Sequence, residues 1–107
     1  MNNFKIIYRI LKAMDKSLDS GTVKIPTHEE LGISLNRYYK ILIILIDDEL
    51  ISGVSYKHFM GTDEPDIYIT RLGLTLKGLE YLAENNTLQK AKDLVTGAID
   101  VGTRLIP

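Results

Sequence analysis

The sequence predicts an α+β fold that is mainly helical: a winged helix-turn-helix with a β-hairpin wing and an added C-terminal helix. Three observations predict it. Apolar residues recur at spacings of three and four over residues 4–18 and again within 34–51. Two β-prone runs, "SGVSYKHF" and "IYITRL", flank the turn-rich "MGTDEPD". A further helical pattern, "LTLKGLEYLAENN", follows at once, so the hairpin sits where it can cover an apolar face that three short helices cannot bury alone.

In the first element Phe4, Ile7, Leu11, Met14 and Leu18 form one stripe, with Ile6, Ile10 and Ala13 as a second beside it, which predicts a helix with a broad buried face. "DSG" at 19–21 ends it, Gly21 suiting the left-handed conformation that follows many helices. "TVKI" at 22–25 reads as a short strand stopped by Pro26. Thr27 and Glu30 have the spacing of a capping box, in which each side chain takes the other residue's backbone N–H; a helix of about one turn follows, closed by Gly32. Ser34 caps the next helix. In the hairpin Val54, Tyr56 and His58 alternate with Ser55, Lys57 and Phe59, which makes His58 a partly packed strand residue. Thr75 is the expected N-cap behind the hairpin, with Leu76, Leu79 and Leu82 on one face until the Asn pair at 85–86 interrupts. Thr87 starts a last helix. A single domain covers residues 1–107, with a winged-helix core at 1–86 and the C-terminal helix at 87–107.

Composition removes whole classes of chemistry. Cysteine is absent, so there is no disulfide framework, thiolate nucleophile or cysteine zinc site. Lys5, Arg9, Lys12 and Asp15 interrupt the start, unlike a secretory signal, and no run approaches the ~20 apolar residues of a membrane span, which predicts a cytoplasmic protein. The net charge of −1, with Lys and Arg spread along the chain, argues against strong non-specific nucleic-acid binding. His28 lies beside Glu29 and Glu30, but carboxylates in a first helical turn suit the dipole, so these read as exposed residues and not as metal ligands or proton carriers. No nucleophile elbow or phosphate-cradling glycine loop is present, and the expectation is a protein without enzymatic activity, cofactor or metal.

The functional question lies in "SLNRYYKILIILIDDELI" at 34–51. At about 100° per residue, Arg37, Lys40, Ile44, Asp47 and Asp48 share one side with Asn36, while Tyr38, Leu42, Leu45 and Glu49 take the other. In helix-turn-helix proteins the N-terminal residues of the second helix contact base edges, Arg matching guanine and Asn adenine. Ser34, Asn36, Arg37, Tyr39 and Lys40 are therefore the candidate nucleic-acid-binding residues, and double-stranded DNA is the candidate partner. Against DNA stand Asp47, Asp48 and Glu49 at the far end, and Asp63, Glu64 and Asp66 at the hairpin tip, since a wing pressed on phosphates would set like charges together. The run "ILIILI" leaves the helix apolar nearly all round, so Ile43 or Ile44 is either buried by the terminal helix or offered to a partner. The alternative function is a protein–protein interaction module, without DNA binding, that uses Ile43, Ile44 and the acidic wing.

Leu88, Ala91, Val95, Ala98, Gly102 and Leu105 keep three-four spacing through the last helix, and Leu94, Ile99 and Val101 widen the stripe. Such a stripe must be buried, and its small residues admit another helix closely. These six residues are the candidate dimer interface of a homodimer built from the first and last helices about a twofold axis, which pairs two helix-turn-helix units.

With "MNNFKIIYRILKAMDKS" at the start, "LGIS" before the third helix and "LTLKGLEYLAEN" after the hairpin, the chain resembles the YjcQ family of small winged-helix proteins from Gram-positive bacteria and their phages or prophages. The resemblance extends over most of the chain and is most distinctive at the start and in "LTLKGLEYL". It implies a winged-helix fold and a phage-related setting, and brings no functional residues with it.

Overall fold

A computed structural model describes residues 2–58, 60–61 and 64–86. The elements run α1 (Asn3–Lys16), a 3₁₀ turn (Ser17–Asp19), α2 (His28–Leu31), α3 (Leu35–Asp47), β1 (Ile51–Lys57), β2 (Asp66–Leu74) and a helix over 76–86, named α4. This is the winged-helix order, with an antiparallel hairpin behind three helices and a helix after it. Leu88, Ala91, Val95, Ala98, Gly102 and Leu105 lie outside the described residues, as do Phe59 and Asp63.

α2, α3 and α4 begin at the expected caps, Thr27, Ser34 and Thr75. The Thr27 hydroxyl accepts from the Glu30 N–H at 3.2 Å while Glu30 Oε1 accepts from the Thr27 N–H at 3.2 Å, completing the capping box. Gly32, at φ 72°, closes α2 in the left-handed conformation. The Thr75 hydroxyl accepts from the Gly78 N–H at 3.0 Å, the expected N-cap of α4.

The core gathers Ile6, Ile7, Ile10, Leu11 and Met14 of α1, Leu31, Ile41, Leu42 and Leu45 of α2 and α3, then Ile51 and Leu82. Val54, Leu72 and Leu74 of the hairpin pack on it, so the wing root does cover the helices. The buried face of α1 is centred between its two stripes, which leaves Phe4 in the first turn and Leu18 beyond the helix end exposed, contrary to expectation. On α4 only Leu82 of the expected leucine face is buried. Leu76 and Leu79 point outward because Gly78 and Leu82 mark the side that meets the core.

"TVKI" is not a strand: among the described residues the sheet contains β1 and β2 alone. Serine side chains claim its backbone instead. The Lys24 N–H donates to the Ser17 hydroxyl at 2.9 Å and the Ser20 hydroxyl donates to the Thr22 carbonyl at 2.7 Å, so those groups are lost to a ladder. His58 stands exposed past the end of β1 with its ring edge-on to Tyr56 at 5.5 Å, not packed within the strand.

Two contacts fix the wing. Gly53, at φ 73°, sits opposite a bulge in which Thr70, Arg71 and Leu72 fill the space between the pairs Ser52↔Gly73 and Val54↔Ile69. At the root, α3 ends with Glu49 at φ 59°, its N–H donating to the Ile46 carbonyl and the Leu50 N–H to the Leu45 carbonyl, the double closure of a Schellman motif. The Thr75 hydroxyl donates to the Glu49 carbonyl at 2.6 Å and its N–H to the Leu50 carbonyl at 3.3 Å, which joins the end of α3 to the start of α4.

Tyr38 ties α3 to the loop before α2, its hydroxyl donating to the Pro26 carbonyl at 2.6 Å. Burial first, then the charge of Glu30, raises its pKa above the usual tyrosine value. A raised folded-state pKa means that the folded protein holds this proton more tightly than the unfolded chain, so the contribution is complete below pH ~10 and is lost as pH rises beyond it. Tyr38→Phe should cost about 1 kcal/mol in urea unfolding at neutral pH. The deficit relative to wild type should shrink above pH ~10; a constant deficit would show that the hydroxyl is not the group titrating.

Candidate nucleic-acid interface

The start of α3 is built by its cap. The Ser34 hydroxyl accepts from the Arg37 N–H at 3.2 Å, which fixes the first turn and the directions of Asn36, Arg37, Tyr39 and Lys40. Asn36 and Lys40 are exposed on the first two turns of α3. Tyr39 is half-buried beside them. Arg37 is placed differently from a free reader: its Nε and a terminal guanidinium nitrogen donate to Asn3 Oδ1 at 3.2 and 2.9 Å, so the side chain bridges α3 to the start of α1. Nothing local in the sequence announces that bridge between residues 34 positions apart.

The acidic end is equally distinct. The Tyr56 hydroxyl donates to Asp47 Oδ1 at 2.8 Å, a bond that raises the tyrosine pKa, and so anchors the wing to the carboxylate end of α3. Glu64 and Asp66 at the tip are exposed. Ile43 is half-buried, whereas Ile44 is 38% exposed.

Charge is therefore not spread evenly, as the chain-wide net value suggests. Residues 2–46 carry seven Lys or Arg against four Asp or Glu, while 47–86 carry three against eight. A segment-by-segment count exposes this polarity, which the total hides. Lys5, Arg9, Lys12 and Lys16 add a cationic line on the face of α1 opposite Ile6, Ile10 and Met14, also overlooked by motif reading. Arg9 in this line reaches the Leu31 and Glu30 carbonyls at 3.5 Å.

His28 is half-buried, not fully exposed. Its Nδ1 lies 3.2 Å from the Ile33 carbonyl and its Nε2 3.7 Å from Glu29, so it closes the turn between α2 and α3. Among the described residues no three His, Cys, Asp or Glu side chains converge as a metal site, and no helix is long and apolar enough to cross a membrane.

Three helices, a hairpin wing rooted against α3 and a following helix define a protein of the winged-helix class. The chain belongs to the YjcQ family, whose model, described as YjcQ protein, matches residues 4–99. No curated protein and no solved structure matches it.

Proposed function

We propose that the protein is a non-catalytic, DNA-binding regulator that works as a homodimer in the cytoplasm and reads duplex DNA with the first two turns of α3. The exposure of Asn36 and Lys40 beside the cap at Ser34, in the cation-rich part of the chain, carries this reading. Asn36 approaches base edges, Lys40 a phosphate, and Tyr39 flanks them; Arg37 contributes charge from its position on Asn3. Because the tip is acidic, the wing stays off the backbone and α3 enters the groove by its N-terminal end. Pairing of two copies sets the spacing of the two half-sites.

Binding to random duplex DNA of about thirty base pairs, followed by fluorescence anisotropy across a salt titration, tests the reading, and affinity should fall steeply with salt. The Arg37→Ala, Lys40→Ala double variant should bind more weakly and lose about two from the salt slope. A wild-type protein that fails to bind at low salt sinks the proposal. The exposed Ile44 and the acidic tip then favour the second reading, a phage-related protein-interaction module, in which the double variant keeps its partner.

A further inference from the structure

The described residues leave an apolar groove uncovered. Phe4 and Ile7 of α1, Ile44 of α3, Leu50 at the wing root and Tyr81 of α4 line a space of about 370 Å³. Phe4 is 73% exposed, a large apolar surface left to water. The Tyr81 hydroxyl is buried with no hydrogen-bond partner among the described residues, a state that native proteins seldom tolerate. The groove therefore lacks an apolar cover.

We propose that this cover is the segment from Leu88 to Ile99 of the same chain, folded back along α4 as the second arm of a helical hairpin. Several observations select this occupant. Asn86 accepts a hydrogen bond from the Tyr8 hydroxyl at 3.0 Å, one turn of α1 from Phe4, so the chain leaves α4 at the end of the groove. Asn85 Nδ2 donates to the Tyr81 carbonyl at 2.8 Å, satisfying a carbonyl near the end of α4 as a terminal side chain does. Asn85 and Asn86 form the last turn of α4, and asparagine favours helix ends over helix interiors, so the reversal falls at Thr87 and the residues beside it.

Length and pattern agree. Residues 88–106 as a helix extend about 28 Å, against about 16 Å for 76–86, so a returning arm passes the whole groove. Leu88, Val95 and Ile99 share one line, and Ala91 and Ala98 beside it permit close approach. Lys92 borders that line and matches Asp48, Glu80 and Glu84, which outnumber Lys77 on the rim. A short tether gives the segment an effective concentration of order mM, above what a second copy reaches in dilute solution. Docking takes up Leu88, Ala91, Val95 and Ala98 of the expected dimer stripe, and leaves Leu94, Val101 and Leu105 on its other edge for pairing with a second copy.

The chain has no cysteine, so introduced pairs report cleanly. Ile44→Cys is combined in turn with Val95→Cys and Ile99→Cys, with Asp93→Cys on the opposite side of the segment as control, and folding of each variant is verified by circular dichroism. Under mild oxidation at least one of the first two pairs should close within the monomer in most molecules, seen as faster migration without reductant. The control should stay open, and mixed single variants should give no linked dimer. Failure of both pairs to close in folded protein, equal closure of the control, or linkage only between separate chains would each overturn the proposal. DNA plays no part in these outcomes, so a negative salt titration leaves the docking result intact.

Discussion

Gly53→Ala is expected to cost about 3 kcal/mol or more and to lower Tm by about 12 °C or more in thermal circular dichroism. Two independent penalties combine. The new Cβ would lie 1.7 Å from the Arg71 carbonyl oxygen and 2.2 Å from its carbon, both backbone atoms of the bulge with no flexible side chain to swing aside. The residue must also hold φ 73°, which costs an alanine about 1–2 kcal/mol more than a glycine. Relief requires moving Arg71 and Leu72, and Leu72 packs on the core, so the strain reaches the helices. Gly21→Ala is the matched control, since nothing lies within 4 Å of the place its methyl would take and its φ is not left-handed. A Gly53→Ala loss as small as that of Gly21→Ala would mean that the bulge is not seated on residue 53.

Leu45→Ala should remove about 3–4 kcal/mol in urea unfolding, a large share of the ~5–15 kcal/mol that holds a domain together. Leu45 is fully buried in the last turn of α3, within the cluster that joins α1, α3 and the wing root. Truncation both returns apolar surface to water and leaves a cavity that rigid neighbours on three elements cannot collapse into. Leu45→Met, which conserves volume, should cost less than about 1.5 kcal/mol. Equal losses for the two variants would point to a requirement for leucine shape and not to the cavity.

What the sequence predicted well was local. Ser34, the Thr27 and Glu30 pair and Thr75 cap helices through bonds that reach three residues along the chain, so spacing alone reveals them. The hairpin was legible from its alternation and turn residues. Misreadings came from competition or distance. "TVKI" has strand composition, yet Ser17 and Ser20 occupy its backbone groups. Phe4 matches the apolar period of α1, but period alone does not show where along a helix the core ends. The candidate interface divides the same way: the cap and the exposure of Asn36 and Lys40 follow from helix geometry, whereas the Arg37 bridge to Asn3 depends on how α1 and α3 meet.

The joint between Glu49, Leu50 and Thr75 has a consequence for how such a chain can diversify. Both ends of the hairpin are clamped at one place, with the Thr75 hydroxyl and N–H on consecutive carbonyls and the backbone of Gly78 against Leu50. The wing is thereby a cassette: its tip can be lengthened, recharged or exchanged for another loop while the helices keep their mutual positions, at a closure cost of only about 0.6 kcal/mol for each doubling of loop length. Novelty is cheapest at the far end of the wing and most expensive at its root.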